Sequence, residues 1–62
     1  MTETEAKTLV LGDILVAKQN PTDKGRVTDK GYLGVVIEWI EGPFKTQVST
    51  KEFHQLQDFE KL

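Results

Sequence analysis

The sequence predicts a mostly β fold: a small closed barrel of about five short strands, ending in a short C-terminal helical turn. Three observations point there. Ile14-Leu15-Val16-Ala17-Lys18 is apolar on both of its alternating faces, as a strand covered on both sides of a small barrel would be. Tyr32 to Ile40 alternates at period two. Gly, Pro, Asn and Asp punctuate the chain between them, where a helical protein would carry a period of 3.6.

At 62 residues there is room for one domain. A chain this short buries only about 60% of the surface that its unfolded form exposes, so the core is thin. Residues 1–8, MTETEAKT, read as a flexible acidic tail, leaving 9–62 as the single barrel domain. The tail lacks the basic-then-apolar pattern of a signal peptide, and no apolar run approaches the roughly 18 residues of a membrane span. A cytoplasmic location and no membrane insertion are the expectations. With no Cys, the chain has no disulfide scaffold, zinc ribbon, iron–sulfur cluster or thiol nucleophile.

In chain order, Gly12-Asp13 reads as a tight turn or bulge feeding the strand that starts at Ile14. Gln19 to Gly31 holds a near-repeat, Thr22-Asp23-Lys24-Gly25-Arg26-Val27 followed by Thr28-Asp29-Lys30-Gly31-Tyr32-Leu33. Each Asp-Lys-Gly predicts a type I turn with glycine in the left-handed position, and the two together predict one long folded-back loop. Tyr32 to Ile40 is the central strand, with Leu33, Val35, Ile37 and Trp39 on its core face. Gly34 in its middle marks a bulge, a sharp coil or a place where another backbone comes close. Glu41-Gly42-Pro43 turns the chain, and Phe44 to Ser49 returns as a strand with Phe44, Thr46 and Val48 inward. Ser49-Thr50-Lys51-Glu52 fits a capping box that starts a helical turn. Gln57 to Leu62 suits either more of that turn or a last short strand.

The order Gly12-Asp13-Ile14-Leu15-Val16, a polar loop, Gly34-Val35-Val36-Ile37-Glu38-Trp39, a Gly-Pro turn, a strand and Glu52-Phe53 with Leu56 resembles the SH3-like small β-barrel group over about residues 9 to 60. That group includes KOW and Tudor-type modules of transcription and translation factors and small accessory subunits of electron-transfer complexes. The resemblance implies a binding module. The aromatic groove of true SH3 domains is not matched, so polyproline binding is not carried over.

Catalytic chemistry has few carriers. The chain has one Tyr and one His, so a nucleophilic triad would need Ser49, His54 and a carboxylate, and Ser49 already serves as a cap. Glu38 and Glu41, three apart on a regular strand, fall on opposite faces and suit no paired-carboxylate mechanism. No Gly-rich phosphate loop and no metal-ligand spacing occurs, so neither cofactor nor metal is expected. The chain reads as non-enzymatic.

Binding remains. Lys18, Lys24, Arg26 and Lys30 face only Asp23 and Asp29 within the Lys18–Lys30 stretch, in a chain whose net charge is −2. Lys24, Arg26 and Lys30, with Tyr32, Val36 and Trp39 on the adjacent strand, form the expected partner-binding set, since Trp, Tyr and Arg dominate interface hot spots. The expected function is a protein-interaction or regulatory accessory module that binds a larger protein or complex. Alternatives are a KOW-like module touching nucleic acid, disfavoured by the acidic balance, and an accessory subunit of an electron-transfer complex. An exposed strand edge offers a route to a homodimer.

Overall fold

The structure, a computed structural model, describes residues 1–62. It is mostly β: strands β1 (Ile14–Ala17), β2 (Lys24–Lys30), β3 (Gly34–Glu41), β4 (Val48–Glu52) and β5 (Phe59–Lys61) form one antiparallel sheet in the order β4-β3-β2-β1-β5. A short helix α1 (Glu3–Ala6) and a 3₁₀ turn (Phe53–Leu56) complete it. The edge strands β4 and β5 do not pair, so the sheet is not closed into a barrel. The 3₁₀ turn joins those two edges, and α1 packs against it.

Alternation on the strands decides which face is buried. Leu15 on β1, Gly25 and Val27 on β2, and Val35, Ile37 and Trp39 on β3 point inward and meet Phe53 and Leu56 of the turn. Ala6 and Leu9 close the cluster from the N-terminal side. The expected acidic tail is therefore part of the fold. Thr2 Oγ1 accepts the Glu5 N–H at 3.1 Å and the Glu5 carboxylate accepts the Thr2 N–H at 2.9 Å, a capping box that nucleates a helical turn too short to persist alone. Burial of Ala6 and Leu9 supplies the rest of its stability. The Met1 amino group donates to the carbonyls of Leu56, Gln57 and Phe59.

The long folded-back loop is also corrected. Only its first part turns: Pro21 sits second in a turn closed by Asp23 N–H to Asn20 O at 2.9 Å. Lys24 to Lys30 is a seven-residue strand, because Gly25 and Val27 have core positions to fill while Lys24 and Arg26 face outward. Neither Gly25 nor Gly31 takes a left-handed conformation. Gly25 is needed for space, since a Cβ there would stand 2.3 Å from Ile37 Cγ2 and 3.1 Å from Trp39 Cε3. At Gly34 the anticipated backbone approach is present: a Cβ would lie 2.1 Å from Lys51 O.

Two further differences trace to single residues. Thr46 has φ 76°, its N–H bonds Trp39 O, and Trp39 N–H bonds Gln47 O, so two residues oppose one. This bulge delays β4 to Val48 and reverses its faces, leaving Val48 exposed and turning Ser49 toward the core side. The helical turn then starts after Glu52, whose N–H donates to Gln55 Oε1 at 2.9 Å, and not at Ser49. Residues 59–61 take the strand alternative.

Candidate interaction surface

The β2–β3 hairpin ends in a two-residue loop, Tyr32-Leu33, closed by Gly31 N–H to Gly34 O at 2.8 Å. Both loop residues have negative φ, a backbone that splays a two-residue hairpin. The ladder accommodates this with a register shift that leaves Thr28 unpaired between Val27 and Asp29. The tip consequently projects. Tyr32 is 95% exposed and Leu33 62%, and the Tyr32 hydroxyl has no protein hydrogen-bond partner. Leu33, expected on the core face, precedes the first residue of β3 and lies outside its alternation.

Tyr32 and Leu33 form a ridge between two shallow grooves. One, of about 350 Å³, runs along the outer face past Val36 and Thr50. The other, of about 240 Å³, lies toward Lys7, Phe53 and His54. Val36 is half-buried on that outer face, together with Ile14, Val16 and Ile40. On that face the apolar tip reaches only Val36, because the Arg26–Glu38 and Lys24–Glu41 pairs lie between it and Ile14 and Val16.

The remaining residues of the expected set lie elsewhere. Trp39 is only 6% exposed; it packs against Phe59 and Phe44, and its Nε1–H donates to Ser49 Oγ at 3.0 Å. Its indole belongs to the core and is not offered to a partner. Arg26 lies 3.2 Å from Glu38 and Lys24 3.4 Å from Glu41, while Lys30 Nζ donates to the Lys7 carbonyl at the end of α1. The second β2–β3 register shift, at Ile40, turns Glu41 back beside Lys24, so Glu38 and Glu41 both face the cations. Within the basic stretch Lys24 and Arg26 form a ladder of two surface ion pairs, each worth well under about 1 kcal/mol at this exposure. Sequence reasoning missed the acidic half of this ladder because its register depends on the Ile40 bulge.

Ser49 Oγ is occupied by the Trp39 indole, and His54 Nε2 stands 3.5 Å from Glu52 Oε1 on the surface. No three His, Asp or Glu side chains converge. The Thr2 backbone N–H and then its hydroxyl hold the Glu5 carboxyl below the usual glutamate range. No helix is long and apolar enough to cross a membrane. No family model matches this chain, and no curated protein or solved structure matches it either.

Proposed function

We propose that this chain is a non-enzymatic protein-interaction module that serves as an accessory part of a larger assembly, contacting its partner through the Tyr32-Leu33 ridge. The observation that carries the reading is the joint exposure of Tyr32 and Leu33 at a tip with open grooves on both sides. A tyrosine with no intramolecular packing role contributes little to folding, and a rigid aromatic with few rotors is the side chain most often used to anchor an interface. Lys24 and Arg26 are already matched by Glu41 and Glu38, which favours an apolar protein contact over a phosphate backbone.

The test is affinity capture with the native chain and with Tyr32→Ser/Leu33→Ser. Both residues lie outside the core, so the variant should fold as the parent does, and its amide spectrum checks this. The expected result is loss of the captured partner at unchanged fold, with capture by the parent resistant to nuclease and to raised salt. Equal capture by the folded double variant would remove the ridge from the interface.

A further inference from the structure

We infer that residues 1–9 form a strap that opens separately from the sheet and that, when closed, braces the Tyr32-Leu33 ridge. As regulation of the ridge this rests on the reading of that ridge as the contact surface, but its test needs no partner. The segment is built apart from the sheet. Its amide hydrogen bonds end within it: Ala6 N–H on Thr2 O, Lys7 N–H on Glu3 O, Thr8 N–H on Glu5 O and Leu9 N–H on Ala6 O. Directly after Leu9 the bonding changes partner. Val10 N–H donates to Asp13 Oδ2 and Asp13 N–H to Val10 O, while Gly12 N–H donates to Val27 O and Val27 N–H to Asp13 O, so the turn Val10–Asp13 belongs to the β1–β2 pair. Val10 and Leu11 are each 59% exposed, so little packing ties this turn to the strap. Boundaries of this kind delimit units that open on their own.

What holds the strap closed is a short set of contacts. α1 rests on the 3₁₀ turn, Ala6 and Leu9 fill the core, the Met1 amino group sits on the Leu56, Gln57 and Phe59 carbonyls, and Lys30 Nζ donates to the Lys7 carbonyl at 2.5 Å. Two of these contacts lead to the ridge. Lys30 stands two residues before Tyr32, so its tether joins the end of α1 to the base of the hairpin tip. The 3₁₀ turn under α1 donates its Phe53 N–H to the Leu33 carbonyl at 3.0 Å. Glu3 and Lys7 of the strap also line the groove of about 240 Å³ that Tyr32 and Leu33 line. Opening would remove that side of the groove, free the Lys7 carbonyl and loosen the turn that holds Leu33. A partner seated in the groove touches only the closed form, so binding and closure favour each other.

The measurement is native-state hydrogen exchange of the free chain at one pH, over denaturant from zero to about 1 M guanidinium chloride. Protection at Ala6, Lys7, Thr8 and Leu9 should lie at least about tenfold below that at Val27 and Trp39, and it should barely change with denaturant, as a small opening requires. Phe53, whose N–H holds Leu33, should exchange with the strap. Gly25→Ala strains the sheet in the closed and the open form alike, so it should lower protection at Val27 and Trp39 and leave the strap unchanged. Lys30→Met removes the tether and should lower protection of the strap severalfold, with retained protection at Val27 and Trp39 showing that the sheet is folded. The inference is overturned if the four strap amides share the denaturant slope of Val27, if Phe53 follows the sheet, or if folded Lys30→Met leaves the strap's protection unchanged. Because no partner enters these readouts, their failure is distinct from unchanged capture by Tyr32→Ser/Leu33→Ser.

Discussion

Gly25 and Trp39 are directly opposed across the β2–β3 ladder, and the indole together with the nearer Ile37 Cγ2 occupies the volume that a side chain at residue 25 would need. A strand glycine is poor in intrinsic propensity, but here its missing side chain leaves room for Ile37 and for the largest residue of the protein. Gly25→Ala should therefore destabilise the fold by about 1–3 kcal/mol, as overpacking does. Denaturant unfolding followed by Trp39 fluorescence would measure this. Gly34→Ala should cost at least as much, because its new methyl group would meet the Lys51 main chain, which cannot rotate away.

Thr46 holds a left-handed conformation at the bulge that sets where β4 begins. A β-branched residue there carries a cost of about 1–2 kcal/mol that glycine avoids, partly offset by glycine's larger entropy loss on folding. Thr46→Gly is expected to raise stability by roughly 0.5–1 kcal/mol, or a few degrees in Tm. An unchanged or lowered Tm would mean that the threonine is relieved by contacts of its own.

Ser49 accepts the only hydrogen bond of the Trp39 indole. Ser49→Ala should leave this partly buried N–H without its protein partner, at about 1 kcal/mol. The same substitution in a Trp39→Phe background should cost clearly less, and a double-mutant cycle reads the difference.

The Glu5 carboxyl is held below its ordinary value by the Thr2 N–H and hydroxyl. A depressed folded-state pKa means that the capping box contributes fully above the ordinary glutamate range and is lost as pH falls through the lowered value. An NMR titration of Glu5 should show the depressed midpoint, with the Thr2 amide moving in step, and Thr2→Ala should return the midpoint toward the ordinary range.

The β class, the inward set Val35, Ile37 and Trp39, the backbone approach at Gly34 and the strand at Ile14 were legible because each rests on period-two alternation or on one residue type. The misread faces of β3 and β4 share one origin. Bulges at Thr28, Ile40 and Thr46 each add a residue to one strand and reverse the faces beyond it, and no local pattern marks them. The β2 strand was concealed by turn-forming residues, because Gly25 is there for Trp39 and Asp29 for the hairpin end. The helix at Glu3–Ala6 was concealed by polarity, its only core contributions being Ala6 and the following Leu9. Tyr32 was legible as a surface aromatic. Its partner in the ridge, Leu33, was not, because the strand begins one residue after it.

The most direct test of the central claim is photo-crosslinking from residue 32. A benzophenone-bearing phenylalanine at Tyr32 should yield one dominant protein adduct in cells that express the chain, and the same probe at the exposed Gln19 should not. Adducts from residue 19 alone, or none from residue 32 while the native chain still captures its partner, would contradict the assignment of the Tyr32-Leu33 ridge as the contact surface.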